Sequence, residues 1–339
     1  MKEHQVTFNF ADGVSRSLPV AEGASILDAA LAAEIPLLHQ CRSGSCCSCI
    51  AQLAGGEAHT RPGASSTLLA SEYANGQRLL CVCQAQSDCS FDLAYGSEVG
   101  AGAAVQVNAF IDSVERIASN VVRLTLELAD GDWLEFRPGQ FMQIEVPGFG
   151  VLRSYSPAST LASLPKLEFL VRLLPGGAMS SFLEEQARPD QVLSLSGPYG
   201  AFFLREEKRR APHIFVAGGT GLAPILSMID SLRQVSGRKP PMLLSFGCAV
   251  PEALFCLDEI ELRKQWLPTL EARICVDREA SADLHPGSPV SALREGDVRA
   301  DSVAYLCGPQ PMIDAATRRL IELGIDPANI FAEQFVPSH

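Results

Sequence analysis

The nine residues Cys41-Arg42-Ser43-Gly44-Ser45-Cys46-Cys47-Ser48-Cys49 constrain this chain more than any other stretch. Cys41, Cys46 and Cys49 stand in a C-x4-C-x2-C array, the spacing by which three thiolates wrap one side of a 2Fe–2S cluster. Ser43, Gly44, Ser45 and Ser48 are small enough to let backbone N–H groups approach the sulfurs, and such hydrogen bonds help to set a cluster's potential. The array needs a distant fourth thiolate, and residues 79–83 offer two. Cys81 is the choice, with 31 residues between it and Cys49, and Cys83 is the alternative.

Other uses of these thiols fit less well. An odd count of 11 cysteines in a chain with no sign of secretion argues against disulfides. A structural zinc site would ordinarily show two C-x2-C pairs. Inert buried thiols do not crowd a Gly/Ser loop. Seven of the 11 cysteines fall between Cys41 and Cys89, while Cys248, Cys256, Cys275 and Cys307 are scattered, as a local metal site in a reducing compartment requires.

With 339 residues, 47% hydrophobic and 19% charged, the chain can bury two or three separate cores. No apolar run approaches the roughly 20 residues of a membrane span. The N-terminus enters an alternating strand pattern without a signal peptide's apolar core, so a cytoplasmic protein that does not engage membranes is expected. The net charge of −12, with acidic residues in excess in every third of the chain, excludes a nucleic-acid footprint.

The first segment alternates Val6, Phe8 and Phe10 before the hairpin signal Asp12-Gly13, and residues 17–20 return as a second strand. Residues 25–33 read as a short helix with Ser25 as cap. After the cysteine loop come a strand at 50–53, a loop through Pro62-Gly63 and a short helix over 66–74. Two hairpins and a helix against one cysteine loop make a β-grasp-like module. Here the chain resembles the plant-type ferredoxins, over residues 1–96. That resemblance implies Cys41, Cys46, Cys49 and Cys81 as ligands. Those proteins usually carry glycine immediately after the second ligand, where this chain has Cys47.

Residues 97–104, rich in Gly and Ala, read as a linker. Over 105–208 strands are expected at 109–114, 121–128, 140–146, 167–173 and 192–196, the grammar of an antiparallel barrel. Within it lies Arg153-Ser154-Tyr155-Ser156. An arginine, an aromatic and a hydroxyl along one strand are expected to project to the same face, offering a cation for phosphate, a flat surface for a ring and a donor for a ring nitrogen. Gly176-Gly177-Ala178-Met179-Ser180-Ser181 precedes a helical run over 182–187 and could receive a pyrophosphate, with Gly177, Met179 and Ser180 as contacts.

From 209 to 339 the pattern becomes α/β. Residues 214–217 form a buried strand, Gly218-Gly219-Thr220-Gly221 a tight turn, and 222–232 a helix, an arrangement that suits a nucleotide's phosphates. It is not the G-x-G-x-x-G fingerprint. Strands at 243–246, 270–276 and 303–306 alternate with a helix over 257–266, which argues for a parallel sheet. The last of them ends in Cys307-Gly308-Pro309, and the chain closes with Phe331-Ala332-Glu333-Gln334-Phe335.

In this order the segments resemble the ferredoxin–NADP reductase superfamily, on Arg153, Tyr155 and Ser156, on Gly218 to Gly221, and on Cys307 to Pro309. The implied fold is multidomain α+β: a β-grasp ferredoxin, an FAD-binding antiparallel barrel and an NAD-binding parallel-sheet domain. The whole chain is similar to the reductase components of bacterial multicomponent oxygenases, above all those of benzoate-type ring-hydroxylating dioxygenases. The resemblance implies FAD, a 2Fe–2S cluster and NADH as cofactors, and a Rieske-type terminal oxygenase of aromatic degradation as electron acceptor. It further implies Arg153 on FAD phosphate, Tyr155 on the flavin, Ser156 near its N5, Cys307 beside the nicotinamide, and Glu333 and Phe335 at the flavin edge. The reductase of a soluble diiron monooxygenase, that of a deoxysugar dehydrase, and a redox-sensing subunit without turnover are the competing readings. NADH is favoured over NADPH because residues 247–262, beyond the second strand of the nucleotide domain, contain acidic residues and no Lys or Arg; Arg273 and Arg278 are the cations that could reach back.

Overall fold

The computed structural model describes residues 2–40, 42–44, 48–64, 66, 68, 70–98, 104–281 and 283–334. The chain splits into two compact units, Met1–Ala104 with Tyr199–Ala201, and Val105–Pro198 with Phe202–His339.

In the first unit β1 (Glu3–Asn9) and β2 (Ser15–Ala21) form the expected hairpin, pairing Glu3 with Ala21 through Asn9 with Ser15. Gly13 takes the left-handed φ of 84° that its turn demands. Alternation buries Val6 and Phe8 fully. Helix α1 (Ile26–Ala32) starts where Ser25 Oγ accepts the Asp28 N–H at 3.3 Å, and it buries Ile26, Leu27 and Ala30. There follow β3 (Ile50–Gly55), β4 (Ala58–Thr60), α2 (Ala70–Ala74), β5 (Gln77–Leu79), β6 (Cys83–Ala85) and β7 (Cys89–Asp92). The main sheet runs β2-β1-β7-β3-β5, with β1 and β7 parallel at its centre.

One expectation is corrected here. The second hairpin does not form between neighbours in sequence, because β3 pairs with β5 and β7 while β4 pairs with β6. A register shift between Leu53 and Gly55 and a left-handed Gly56 turn the chain out of the sheet before it can double back.

The second unit opens with six antiparallel strands: β8 (Val105–Ala118), β9 (Val121–Leu128), β10 (Phe141–Val146), β11 (Val151–Tyr155), β12 (Lys166–Arg172) and, after α3 (Ala178–Ser181), β13 (Val192–Tyr199). Their order is β11-β10-β13-β8-β9-β12, and a bridge from Pro157 to Phe169 joins the two ends into a barrel. Leu124, Leu126, Met142, Ile144, Phe169 and Phe182 fill its interior. The helical run expected at 182–187 is a π-helical turn, Phe182–Gln186, continuing α3.

A parallel sheet completes the unit: β14 (His213–Gly218), β15 (Met242–Cys248), β16 (Leu270–Val276), the short β17 (His285–Pro286), β18 (Val303–Gly308) and β19 (Ile330–Gln334), in the order β17-β16-β15-β14-β18-β19. Helix α4 (Leu222–Arg233) covers one face. Its buried Leu226, Met228 and Ile229 share a core with Leu170, Phe202 and Leu204 of the barrel region. Each such side chain stabilises by roughly 1.5–3 kcal/mol, so Leu226→Ala would loosen this junction. α5 (Leu257–Trp266) follows β15, and α6 (Gln310–Glu322) packs Ile313, Ala316 and Leu320 on the sheet's other face. Gly139 marks how closely barrel and α4 meet. Its φ is +106°, and a Cβ there would stand 2.4 Å from Met228 Cε and 2.7 Å from the Phe202 carbonyl. From β14 the chain builds outward to β17, then returns to the opposite side at β18. The crevice at the carboxyl ends of β14 and β18 is therefore the switch point where such sheets take ligands.

Candidate functional site

Cys49 is buried just before β3, and its carbonyl accepts the Leu80 N–H at 3.0 Å. That bond ties the turn between β5 and β6 to the end of the ligand loop, which brings Cys81 beside Cys49's segment. Ser25 Oγ, the cap of α1, donates to the Cys81 carbonyl at 3.2 Å and fixes the turn from the other side. Cys83 lies two residues on, fully buried in β6 and paired with Thr60. Burial pushes its thiol up to about 12, Arg78 opposing that, and the neighbouring Cys89 and Cys49 adding to it. Arg42 and Gly44 take left-handed φ values of 53° and 80°, as a loop turning its N–H groups inward requires. Cys41, Cys46 and Cys47 lie outside the described residues. The described donors, Cys49 and Cys81, lie on adjoining segments tied by the Leu80–Cys49 backbone hydrogen bond, a placement that suits an iron–sulfur cluster.

On β11 the expected alternation holds: Val151, Arg153 and Tyr155 are half-buried, while Leu152 and Ser154 face solvent. Arg153 sits opposite Ile144 and Tyr155 opposite Met142. Burial drives the Tyr155 phenol upward and the Arg153 cation works against it, so the two side chains are neighbours on one face. This pair, a cation beside a half-buried aromatic ring, fits a flavin dinucleotide's phosphate and ring. Ser156 follows as the chain leaves β11 to bridge β12, and it is 4% exposed.

The glycine loop is stitched by its own side chains. Gly176 has φ +71°, Gly177 caps α3, and Ser180 Oγ accepts the Leu174 N–H at 2.8 Å. Met179 packs into the barrel core. Ser180 thus acts on the loop, and the amides at the start of α3 are the groups left to meet a phosphate.

At the switch point Gly219 has φ +55°. A Cβ on Gly221 would lie 2.2 Å from the Cys307 carbonyl, and one on Gly218 would lie 2.8 Å from Met312 Sδ. The turn Gly218-Gly219-Thr220-Gly221 therefore rests directly on Cys307-Gly308-Pro309, and Pro309 caps α6. Only glycine permits this approach, which leaves a backbone-lined cradle at the N-terminus of α4 for a dinucleotide.

Three residues read separately in the sequence converge beside it. Cys307 and Glu333 are register partners in β18 and β19. Ser156, from the barrel, donates through Oγ to Glu333 Oε2 at 3.4 Å. Desolvation lifts the Glu333 carboxyl to about 8, the Ser156 hydroxyl opposing the rise. Cys307 is fully buried, its thiol held well above the usual range by burial and by Glu333. A carboxyl that keeps its proton at neutral pH, beside a hydroxyl and a protonated thiol, can hold and pass a proton. Phe335 lies outside the described residues.

Arg172 escaped the sequence reading. It ends β12 and approaches Cys248 at the carboxyl end of β15. Burial pushes that thiol up to about 11, and the Gly219 N–H and Arg172 pull it back. Its only sequence signal is a cation four residues before the glycine pair. The two cations that could reach the adenosine end separate clearly. Arg273 is buried and bidentate with Asp297 at 2.6 and 2.8 Å, and it also donates to the Ala292 carbonyl, so it is fully occupied. Arg278 is exposed, and its N–H donates to the Ala249 carbonyl at 3.1 Å, beside Asp277, which bonds Cys248 in the same way.

Family models match three successive stretches: a 2Fe-2S iron-sulfur cluster binding domain over residues 9–86, an oxidoreductase FAD-binding domain over 108–204, and an oxidoreductase NAD-binding domain over 215–318. The toluate 1,2-dioxygenase electron transfer component of Pseudomonas putida is 34% identical over 338 residues, 99% of each chain. Methane monooxygenase component C of Methylosinus trichosporium is 39% identical over 269 residues, 77% of this chain and 78% of that one. Among solved structures, the Amycolatopsis cytochrome P450 reductase GcoB superposes with a TM-score of 0.71 at 25% identity, covering 98% of this chain and 99% of the other. No described helix is long and apolar enough to cross a membrane.

Proposed function

Because the chain belongs to the family of oxygenase electron transfer components, we propose that it serves a Rieske-type terminal oxygenase acting on an aromatic acid, with NADH as its electron source. The observation that carries this reading is the end-to-end match, 34% over 99% of both chains, to the toluate dioxygenase component. Bound FAD supplies the chemistry that links a two-electron donor to a one-electron cluster. This chain's residues bind and orient the participants. Arg153 meets the flavin's phosphate and Tyr155 its ring, on the strand face they share. The Gly218–Gly221 turn and the N-terminus of α4 take the nicotinamide dinucleotide's pyrophosphate, with Arg172 adding charge from the barrel. Glu333 keeps a proton on its carboxyl at neutral pH, Ser156 Oγ orients it, and Cys307 shields it from water. Cys41, Cys46, Cys49 and Cys81 hold the cluster.

The test is reconstitution. Purified holoprotein and NADH are combined with a Rieske-type aromatic-ring dioxygenase, or with a soluble diiron monooxygenase hydroxylase, and product is measured. Turnover with the dioxygenase supports the reading. Turnover with the diiron hydroxylase alone would replace it by the monooxygenase alternative.

A further inference from the structure

We propose that Arg205 is a positioning residue for Glu333: its buried guanidinium clamps the edge strand β19 through Phe331 and so fixes the carboxyl opposite Ser156. The proposal rests on the role assigned above to Glu333. β19 needs such a clamp, because it pairs with β18 on one side only and all of its residues remain partly exposed. An edge strand of this kind opens more readily than its neighbours.

Arg205 itself is 3% exposed. Its guanidinium carbon lies 4.1 Å from the centroid of the Phe203 ring and 4.5 Å from that of Phe331. A cation desolvated between two rings is held more tightly than one in water. Tyr305 also stacks on Phe331, at 5.4 Å and 25°. The Arg205 backbone N–H in turn donates to Tyr305 Oη at 2.9 Å, so the arginine grips both members of that ring pair. Phe331 and Glu333 are two residues apart on one strand and therefore share a face. Tyr305 opposes Phe331 in the ladder, as Cys307 opposes Glu333.

The other end of the clamp belongs to the barrel region. The N–H of Leu204, adjacent to Arg205, donates to the Pro138 carbonyl at 3.0 Å, and Arg137 lies 5.2 Å from the centroid of the Phe203 ring. Ser156 stands on that same barrel. Arg205 thus links the frame that carries the hydroxyl to the strand that carries the carboxyl, by contacts separate from the single 3.4 Å hydrogen bond between them.

Amide hydrogen exchange on the full-length protein tests this without turnover. In Arg205→Leu, exchange of residues 331–334 is expected to rise about tenfold, in the range of a lost desolvated cation–π contact, while β14 and β18 keep their protection. Phe331→Leu should do the same. The double variant should exchange no faster than either single one, since both break one clamp. Arg205→Lys, which keeps the cation, should retain most of the protection. If Arg205→Leu does not accumulate as folded protein, Phe331→Leu and Arg205→Lys carry the test. Unchanged exchange at 331–334, or a rise spread equally over β14 and β18, would overturn the clamp. In the holoprotein, Arg205→Leu should lower kcat for dye reduction with little change in KM for NADH, and move the alkaline limb of the pH profile. Glu333→Gln with unchanged flavin reduction would instead overturn the role of Glu333, leaving the exchange result standing.

Discussion

Ser156 Oγ and Glu333 Oε2 stand 3.4 Å apart although 177 residues separate them in the chain. The contact joins barrel to parallel sheet at the point where Cys307 closes the third side. It also makes the carboxyl's environment a property of both halves, since desolvation raises its pKa to about 8 while the hydroxyl resists.

The first prediction concerns that proton. Glu333 is protonated below its folded pKa, so flavin reduction by NADH should be supported at neutral pH and fall as pH rises through about 8. Glu333→Gln should slow single-turnover flavin reduction on the order of 100-fold, the lower end of general acid–base effects, and abolish that alkaline limb. Stopped-flow absorbance between pH 6 and 9 measures both, and a limb that persists in the Gln variant would exclude Glu333 as its source.

The second addresses the cluster. Purified protein should contain two irons and two sulfides per chain alongside one FAD. Cys46→Ser should lose the cluster and Cys89→Ser should keep it. Cys81→Ser should lose it and Cys83→Ser should keep it. Iron, sulfide and zinc analysis with visible absorbance decides each case. The opposite pattern at 81 and 83 would move the fourth ligand into β6.

Arg153→Ala removes the cation beside Tyr155. FAD should bind about tenfold or more weakly, as expected on losing a charge-assisted phosphate contact. Flavin retained after gel filtration, at matched protein concentration, reports the change. Equal occupancy in parent and variant would show the arginine to be a surface residue.

A fourth prediction follows from His213, buried at 1% exposure with its ring stacked near those of both Phe215 and Tyr305, which also stack on each other. Burial lowers its pKa to about 4, with the Ala211 backbone opposing that and Arg209 reinforcing it. The unfolded chain takes up this proton near 6.5 and the folded chain only near 4, so stability present above 6.5 is lost as pH falls through that window. The slope is up to about 1.4 kcal/mol per pH unit. His213→Phe keeps the stack and should flatten the acid loss. Urea midpoints at pH 7.5 and 5.0 for both proteins would reveal it, and identical acid sensitivity would rule His213 out as its origin.

The last concerns the nucleotide. Arg273 is tied to Asp297, which leaves Arg278, two residues past β16 and held to the Ala249 carbonyl by its backbone N–H, as the nearby cation, with Asp277 before it. A carboxylate there accepts a ribose hydroxyl and repels a 2′-phosphate. NADH should therefore exceed NADPH in kcat/KM for dye reduction, and Asp277→Asn should narrow the gap. Comparable efficiency with NADPH in the parent would show Arg278 to be reading the phosphate.

What the sequence determined by itself is what neighbouring residues enforce. Thiolate spacing at Cys41, Cys46 and Cys49 follows from the size of a cluster. Alternation put Arg153 and Tyr155 on one face because a strand has period two. The glycines at 218, 219 and 221 announced a tight turn because no other residue could occupy it, and the bounds of α5 and β16 agree with those expected from the sequence. Tertiary structure decided whatever depends on which distant segments pair. The central parallel pairing of β1 with β7 and the register shift between Leu53 and Gly55 replaced the expected second hairpin. The Leu80–Cys49 bond put the turn of Cys81 beside the ligand loop, a fact invisible in a spacing of 31 residues. Glu333 was expected at the flavin edge from the resemblance alone, and only the pairing of β19 with β18 set it opposite Cys307. Its raised pKa, its contact with Ser156 and the arginine clamp at Phe331 all arise from burial at the junction of two folds, and burial is a property of packing that no local pattern encodes.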